Sequence, residues 1–452
     1  MKDTDQIHIS FDEETSPEVG WDAAGSFDLT QDIEPAWLPA EPDSFQAAGL
    51  RDSAVEQLVL KVLLESPGLT GNEVARRIAL HPGPVRAQLQ DLKRRMLLVH
   101  ARGSAAGDFH FDLAEAGRQK AVHLRDACPY AGPAPVSLEH WQQSVWSQSI
   151  TREAPDSSHL ERAFGDLQVD GDLLGQLGPA MNAGRGCFMF GNSGNGKTSF
   201  ALRMIAAYDT SVYIPHTVMM NGTVVQIYDP AVHKAVPQAD DDDAFGRKRV
   251  DRRWVQIRRP VVVAGGELTL DSLELEVTGP GLCEAPLQVK ANTGILVIDD
   301  FGRQAVEPAA LLNRWIVPLE NKVDYLRTPN GRKLQVPFDT MLVISTNLDP
   351  KDLVDEAFLR RLPYKVRFHD PNPEQFRRLM LSEAEKMGFY PEEEPVDWLV
   401  QSWYLEKGRP MRYCHPRDLL LQVRHRCLYH GRPLELTRDT LDDAARAYFT
   451  LL

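Results

Sequence analysis

The chain has 452 residues, which is more than one hydrophobic core usually organises, so we expect two or three domains. Hydrophobic residues make up 43% and charged residues 25%, as in ordinary globular proteins. No apolar run approaches the roughly 20 residues of a membrane helix, and the first residues lack the features of a secretory signal. We therefore expect a cytoplasmic protein without a membrane partner. The five cysteines are scattered without metal-ligand spacing, which predicts reduced thiols.

Much of the net charge of −14 belongs to the amino-terminal segment, where Lys2 is the only basic residue before residue 51. This segment is rich in acidic residues, proline and glycine and lacks helical or strand periodicity. Because it cannot bury enough apolar surface to offset the entropy lost on ordering, residues 1–50 are predicted to be a disordered acidic tail. The aromatic residues Trp21, Phe27 and Trp37 leave a second interpretation open, an acidic docking peptide.

Residues 51–124 predict three helices followed by a hairpin. The second helix begins after Thr70, which has Glu73 three residues further on and so predicts a capping box. The third helix is expected over about residues 85–93, with basic side chains around an apolar face. The hairpin is predicted from the runs 96–101 and 109–113 and from a Gly-rich tip at 103–107.

This order of elements resembles the winged helix-turn-helix domains of bacterial regulators, in which the stretch 109–117 would be the wing strand. The resemblance implies that the third helix enters the DNA major groove, with Arg86, Gln88 and Lys93 as the candidate contacts. Acidic side chains offset much of the basic charge of this region. A protein-binding module is therefore the alternative.

A phosphate-binding loop follows the apolar run 185–190. Residues 191–198 read GxxxxGKT, and a segment with helical spacing comes after them, as this motif requires. The glycines let backbone N–H groups turn towards phosphate oxygens, and the following helix adds a partial positive charge. Lys197 would reach the β- and γ-phosphates, and the Thr198 hydroxyl would bind Mg²⁺, so ATP and Mg²⁺ are the predicted cofactors. The predicted binding residues are Gly191, Asn192, Ser193, Gly194, Asn195, Gly196, Lys197, Thr198 and Ser199.

Two further apolar strands end in polar residues. The strand 294–298 ends in Asp299 and Asp300, which is a Walker B pattern. Asp299 is predicted to hold Mg²⁺ through water, and Asp300 to polarise the attacking water. The strand 340–346 ends at Asn347, whose side chain can position that water.

The ordered set of motifs resembles the AAA+ ATPases over about residues 160–452. The resemblance places the polar residue after the third strand at sensor 1, Arg360 or Arg361 at the arginine finger, and Arg417 at sensor 2. An arginine finger reaches the neighbouring subunit's site and neutralises charge that develops on the γ-phosphate. AAA+ proteins usually carry Glu where this chain has Asp300, which favours a water relay or slow hydrolysis. The predicted catalytic residues are Lys197, Asp300, Asn347, Arg360, Arg361 and Arg417.

The resemblance implies an α/β nucleotide-binding domain with a parallel sheet over residues 161–370 and a helical lid over residues 371–452. The stretch 213–290 is longer than a minimal core needs, so we predict an insertion there. Its charged clusters 240–243 and 247–253 indicate a solvated loop, or a surface that lines a pore or meets a client. Its strand-like runs are 223–228, 254–257, 261–264 and 287–289. The amphipathic segments expected in the lid are 373–388, 394–406, 416–428 and 437–451.

Two connecting segments complete the prediction. Residues 125–160 contain several prolines and are expected to be a linker with one short helix over about 138–146. A helical stretch at 311–320 and a hairpin around 328–331 resemble the arrangement in MoxR-like ATPases and in bacterial enhancer-binding activators. The sequence has no GAFTGA loop of the activator type, which argues against the activators.

These motifs together predict an ATP-hydrolysing AAA+ protein that remodels or matures a protein client. The family implies a homo-oligomer, in the form of a hexameric ring. Two alternatives stay open: a DNA-associated AAA+ regulator that uses the winged helix, and a nucleotide switch with little turnover, which Asp300 in place of Glu favours. A metabolite kinase would leave the finger-like and sensor-like residues without a role.

Overall fold

The computed structural model describes residues 35–102, 108–165, 167, 171–237, 250–353 and 356–450. Several predicted features lie outside these residues: most of the acidic tail (1–34), the hairpin tip 103–107, and the charged clusters at 240–243 and 247–249. Within the described residues, no helix has both the length and the apolar character that crossing a membrane requires.

The amino-terminal part combines four helices with a small antiparallel sheet. Its elements are α1 (Asp52–Glu65), β1 (Leu69–Thr70), α2 (Gly71–Arg77), α3 (Pro82–Arg94), β2 (Leu98–Arg102), β3 (His110–Leu113) and α4 (Glu115–Ala127). The strands pair in the order β1–β3–β2, and the buried faces of α1, α2 and α3 share one apolar cluster with them. The predicted capping box is confirmed: Thr70 Oγ1 accepts from Glu73 N at 3.2 Å, and Glu73 Oε2 accepts from Thr70 N at 2.7 Å.

The strand predicted over 109–117 is shorter in the structure. β3 ends at Leu113, and Gly117 lies in α4. A Cβ atom at Gly117 would lie 2.0 Å from the carbonyl oxygen of Leu97, so glycine lets α4 approach the backbone before β2. Gly117, predicted as the end of a strand, is instead a helix residue at a close contact between α4 and Leu97.

Residues 35–50 contact other described parts of the chain, so the disordered tail predicted over 1–50 does not include them. The rings of Trp37 and Trp254 pack edge to face with centroids 5.1 Å apart. Arg253 Nη1 donates to the carbonyl oxygen of Ala48 at 2.8 Å, and Ala48 is buried. The composition of the segment does not predict these contacts, because their partners are distant in sequence.

The central part of the chain contains most of the strands. Its strands are β4 (Val136–Ser137), β5 (Cys187–Gly191), β6 (Ser211–Pro215), β7 (Thr217–Met220), β8 (Thr223–Gln226), β9 (Trp254–Arg258), β10 (Val261–Ala264), β11 (Glu276–Gly279), β12 (Leu282–Glu284), β13 (Ile295–Ile298), β14 (Val323–Arg327), β15 (Lys333–Pro337), β16 (Met341–Thr346) and β17 (Tyr364–Phe368). Its α-helices are α5 (Leu138–Ser147), α6 (Ser157–Phe164), α7 (Gly171–Ala183), α8 (Lys197–Arg203), α9 (Leu287–Lys290), α10 (Pro308–Asn321), α11 (Pro350–Leu353) and α12 (Glu356–Leu359). Short 3₁₀ turns are Ile150–Arg152, Met204–Ala207 and Asp271–Leu273.

Five parallel strands form the central sheet in the order β10–β13–β16–β5–β17, which bears out the α/β fold class with a parallel sheet. The three inner strands β13, β16 and β5 are mostly apolar and buried, as in parallel sheets covered on both faces, whereas the edge strands β10 and β17 each have exposed positions. Side chains of α6, α7 and α8 share one apolar cluster with the sheet, and side chains of α10 share the other. Since β10 is an edge strand of this sheet, the insertion predicted to reach residue 290 does not include residues 261–264.

The segment predicted as a linker over 125–160 packs into the interior. α5 confirms the predicted short helix, and β4 pairs with β7 at the edge of a second sheet, in the order β11–β12–β8–β7–β4. Trp141 and Val145 of α5 are buried in one cluster with side chains of β7 and β15. The prolines therefore mark turns between packed elements.

Residues 287–289, predicted as a strand, lie in helix α9. Pro286 precedes this helix with a φ of −71°, and its carbonyl oxygen accepts from the backbone of Val289 at 3.0 Å and of Lys290 at 3.1 Å. Proline favours this start because its fixed φ suits the first turn of a helix. The hairpin expected around 328–331 is present between β14 and β15.

The carboxyl-terminal part is helical, as predicted for residues 371–452. Its helices are α13 (Pro373–Lys386), α14 (Glu393–Leu399), which continues as a π-helical segment (Val400–Leu405), α15 (His415–Tyr429) and α16 (Arg438–Tyr448). Their apolar faces form a separate cluster around Phe376, Tyr404 and Leu420. We call residues 371–450 the lid below.

Candidate nucleotide-binding site

The predicted phosphate-binding loop lies at the carboxyl end of β5, between β16 and β17. Its glycines Gly191, Gly194 and Gly196 have φ values of 144°, 82° and 79°, which side chains rarely allow. A Cβ atom at Gly191 would lie 2.3 Å from the carbonyl oxygen of Phe368 in β17. The loop therefore needs glycine both for its turns and for its approach to the neighbouring strand.

Lys197 is the first residue of α8 and is buried against the loop. Its Nζ donates to the carbonyl oxygens of Gly191 at 2.9 Å and Asn192 at 3.0 Å. Burial lowers the pKa of Lys197, while the carboxylates of Asp300 and Asp299 act in the opposite direction. A buried ammonium surrounded by exchangeable oxygen acceptors is suited to bind phosphate oxygens.

Thr198 and Asp299 form the candidate metal site. The Thr198 hydroxyl donates towards both carboxylate oxygens of Asp299, at 3.0 and 2.8 Å. A hydroxyl and a carboxylate are the hard oxygen ligands that Mg²⁺ prefers. The described residues contain no cluster of three or more His, Cys, Asp or Glu side chains that could hold a metal ion.

Asn347 connects the loop to the Walker B carboxylates. Its Oδ1 accepts from Lys197 Nζ at 2.6 Å, and its Nδ2 donates to Asp300 Oδ1 at 2.9 Å. Asp300 has a φ of 47°, a strained conformation that Asp tolerates better than most residues. The Asp300 N–H also donates to Asp299 Oδ1 at 3.1 Å. Asn347 thus holds the carboxylate of Asp300, and Asp299 holds its backbone N–H.

The two candidate finger residues differ in their surroundings. Arg361 Nε donates to Glu320 Oε1 of α10 at 2.7 Å, so it is engaged within its own chain. Arg360 is the more exposed of the two. This difference in exposure was not available from sequence.

On the lid side, the predicted Arg417 and the nearby Arg412 differ in their contacts. Arg417 is exposed in the first turn of α15, and within the described chain it makes no hydrogen bond or ion pair. Cys414 N donates to the carbonyl oxygen of Gly194 at 2.9 Å. Arg412 forms an ion pair with Asp370, and the Arg412 charge contributes to lowering the pKa of Lys197.

Asp370 is a site residue that the sequence motifs do not contain. It follows β17 and accepts from Nδ2 of Asn192 at 3.1 Å and from Nδ2 of Asn195 at 2.7 Å. Its position after a parallel strand is the same signal that identified Asp299 and Asn347. Of the other predicted loop residues, Ser193 is exposed, and Gly196 and Ser199 are half-buried.

A cleft of about 430 Å³ opens beside these residues. It is lined by the start of the loop, by Asn347 and by Asp370 and its neighbours in β17. The cleft lies at the carboxyl edge of the parallel sheet, where ligands of open α/β sheets bind. The start of the phosphate-binding loop and the polar residues Asn347 and Asp370 therefore meet at an accessible surface.

Comparisons with known proteins give distant similarities. A family model described as a domain of unknown function (DUF8689) matches residues 372–447, which lie in the lid. No curated protein matches the sequence. Among solved structures, NtrX from Brucella abortus is similar at 17% identity and a TM-score of 0.37; the match covers 63% of this chain and only 57% of the NtrX chain.

Two further solved structures have comparable scores. The RuvB Holliday junction branch migration motor of Thermotoga maritima is 12% identical with a TM-score of 0.35, and the match covers 62% of this chain and 69% of RuvB. A model of the complex between the magnesium chelatase subunits BchI and BchD is 17% identical with a TM-score of 0.30, covering 61% of this chain and 91% of the matched chain. These similarities are too distant to assign a function by themselves.

Proposed function

We propose that this chain is an AAA+ ATPase that binds ATP and Mg²⁺ at the loop Gly191–Thr198. The observation that carries the proposal is the convergence of Lys197, Asp299 and Asn347, which follow or adjoin three neighbouring strands of the parallel sheet. Lys197 contacts Asn347 directly, and Asp299 contacts Thr198, the residue after Lys197, so a cation, a candidate metal ligand and a polar amide lie together at the sheet edge. That set of groups suits phosphoryl transfer to water, which depends on positioning and charge stabilisation.

The residues divide the work between binding and hydrolysis. Lys197 exchanges its bonds to loop carbonyls for bonds to the β- and γ-phosphate oxygens. Asp300 orients the attacking water and accepts its proton, and Asn347 holds the Asp300 carboxylate in place. Mg²⁺ held by Thr198 and, through water, by Asp299 would supply neutralisation of phosphate charge.

Arg360 is the proposed arginine finger, and Arg417 the proposed lid arginine for the γ-phosphate. Because a finger acts on the neighbouring subunit, the working form is a homo-oligomer, for which a hexameric ring is the proposed state. Cycles of ATP binding and hydrolysis would then remodel or mature a protein client. We place this activity in the cytoplasm.

The amino-terminal part supports a second candidate function, a DNA-associated regulator. We interpret α1–α3 with β1–β3 as a winged helix, on which Arg86 and Lys93 are exposed along α3. Two other cations are engaged, since Glu56 accepts from Arg95 at 2.7 Å and from Lys120 at 2.5 Å. Salt-dependent duplex binding that is lost in the double variant Arg86→Ala with Lys93→Ala would favour this function over protein recruitment.

The test of the proposed ATPase is the steady-state rate of ATP hydrolysis against protein concentration. We expect the rate per chain to rise with concentration, to disappear in Lys197→Ala, and to fall on the order of 10³-fold in Arg360→Ala. Arg361→Ala is the matched control and should retain most of the activity. Mixing Lys197→Ala chains with Arg360→Ala chains should restore turnover, because mixed oligomers contain some sites with an intact loop and an intact finger.

Other outcomes would change the proposal. ATP binding without turnover in the unaltered chain would favour the nucleotide switch, as the shorter Asp300 suggests. Turnover that depends neither on protein concentration nor on Arg360 and Arg361 would contradict the proposed site shared between subunits and the proposed ring.

A further inference from the structure

Asp370 joins three separate elements at the nucleotide site. It leaves the sheet just after β17, whose Phe368 is paired with Gly191 at the end of β5. This register carries the Asp370 carboxylate to the outer side of the loop. There it accepts from both Asn192 and Asn195 and forms an ion pair with Arg412 of the lid.

Asn195 depends on Asp370 for its orientation. Its side chain is 2% exposed, its Nδ2 donates to Asp370 Oδ1 at 2.7 Å, and its Oδ1 has no hydrogen-bond partner within the described residues. Since a carboxylate accepts only from the nitrogen of the amide, Asp370 fixes which way the group faces. The two asparagines at variable positions of the loop motif therefore have a common partner.

The lid is fastened at the same point by a second contact. Cys414 N donates to the carbonyl oxygen of Gly194 at 2.9 Å. A Cβ atom at Gly194 would lie 2.5 Å from Cys414 Sγ and 3.5 Å from Arg412 Cβ, so glycine admits the lid segment to the loop surface. The Arg412 side chain is 19% exposed and that of Asp370 is 30% exposed, which limits solvent screening of the pair.

The charge state of Asp370 suits this role. Partial burial opposes ionisation, but the hydrogen bonds from Asn195, Asn192 and Arg412 outweigh it and hold the pKa of Asp370 below its ordinary value. The carboxylate therefore stays ionised at neutral pH, and charge-assisted hydrogen bonds of this kind are stronger than neutral ones.

We propose that Asp370 is a positioning residue that fastens the lid segment Arg412–Cys414 to the phosphate-binding loop. The inference rests on the proposed function for its meaning, because the loop is where ATP would bind. Beyond that function, the inference adds that Asp370, a carboxylate outside the AAA+ motifs, links the lid to Asn192 and Asn195 of the loop.

The test is amide hydrogen exchange of residues 412–418 in the full chain without nucleotide. Asp370→Asn and Arg412→Gln should each accelerate exchange there on the order of tenfold, since each removes the same charge-assisted contact. The double variant should exchange no faster than the faster single variant. Arg412→Lys, which keeps a cation, should restore slow exchange.

The control is Glu374→Gln, which removes an exposed carboxylate four positions after Asp370 and should leave exchange unchanged. Exchange in α13 and α14 should also stay unchanged in every variant, which separates a local contact from general loss of lid structure. Unaltered exchange in Asp370→Asn, or multiplied effects in the double variant, would overturn the inference. If instead the unaltered chain binds no ATP while the exchange results hold, the proposed ATPase falls and the contact stands.

Discussion

Asn347 shows how one side chain organises the candidate site. An amide carries both an acceptor and donors, so Asn347 can bond the Lys197 ammonium and the Asp300 carboxylate at the same time. A carboxylate at this position would repel Asp300, and an aliphatic residue would bond neither group. The shorter Asp300 is therefore held in place by its neighbour across the sheet edge.

The variant Asn347→Ala tests this arrangement. We expect turnover to fall on the order of 10²-fold, as when a positioned polar group is removed from other active sites, with little change in ATP affinity. Val317→Ala is the control, because Val317 of α10 is 41% exposed and does not line the cleft. Equal loss of activity in both variants, or full activity in Asn347→Ala, would remove Asn347 from the mechanism.

Some site residues were predictable from sequence because their motifs are local. The loop and the Walker B pair are each defined by a short run of neighbouring residues. Asp370 is instead defined by contact with Asn192, 178 positions earlier, and by the register of β17 with β5. Arg412 was missed for the same reason, since its partner lies on another element.

At the scale of elements, α5 packs the chain between the amino-terminal part and the phosphate-binding loop against the core. Trp141 is 1% exposed. Beyond α5, the Ser149 hydroxyl and the Ile150 backbone N–H donate to the carboxylate of the buried Asp339. Burial raises the pKa of Asp339, although these hydrogen bonds oppose the shift. The segment predicted as a linker therefore contributes buried residues to the interior.

Two tryptophans of α5 provide a matched test. Trp141→Ala should cost about 3–5 kcal/mol of stability, because it empties a large buried site. Trp146→Ala, at a position 38% exposed on the same helix, should cost clearly less, about 1–2 kcal/mol, because part of this side chain already faces solvent. Midpoints of urea unfolding measure both. Similar midpoints for the two variants would show that α5 is not part of the core.

Helices with strong periodicity were predicted well, as in the lid, because an amphipathic pattern depends on the helix alone. Short apolar runs were not predicted well. Residues 287–289 form α9 because Pro286 starts a helical turn, while residues 261–264 form an edge strand of the main sheet. A run of this length fits either structure, so its neighbours decide.

At the scale of the whole molecule, the α/β class was predictable, and the boundaries between parts were not. Residues 35–50 pack against β9 and its flanking residues, and β4 pairs with β7, so segments on both sides of the amino-terminal helices meet the region between the loop and β10. Prolines and acidic residues suggested tails and linkers. Long-range burial overrode that composition.

The measurement that tests the account most directly is equilibrium binding of ATP with Mg²⁺ to the full chain. The unaltered chain and the control Lys351→Ala, which removes an exposed lysine of α11, should bind with the same affinity. Lys197→Ala should bind at least about tenfold more weakly, because it loses a charge-assisted contact to phosphate. Equal affinity in all three chains, or no binding by the unaltered chain, would contradict a nucleotide site at this loop.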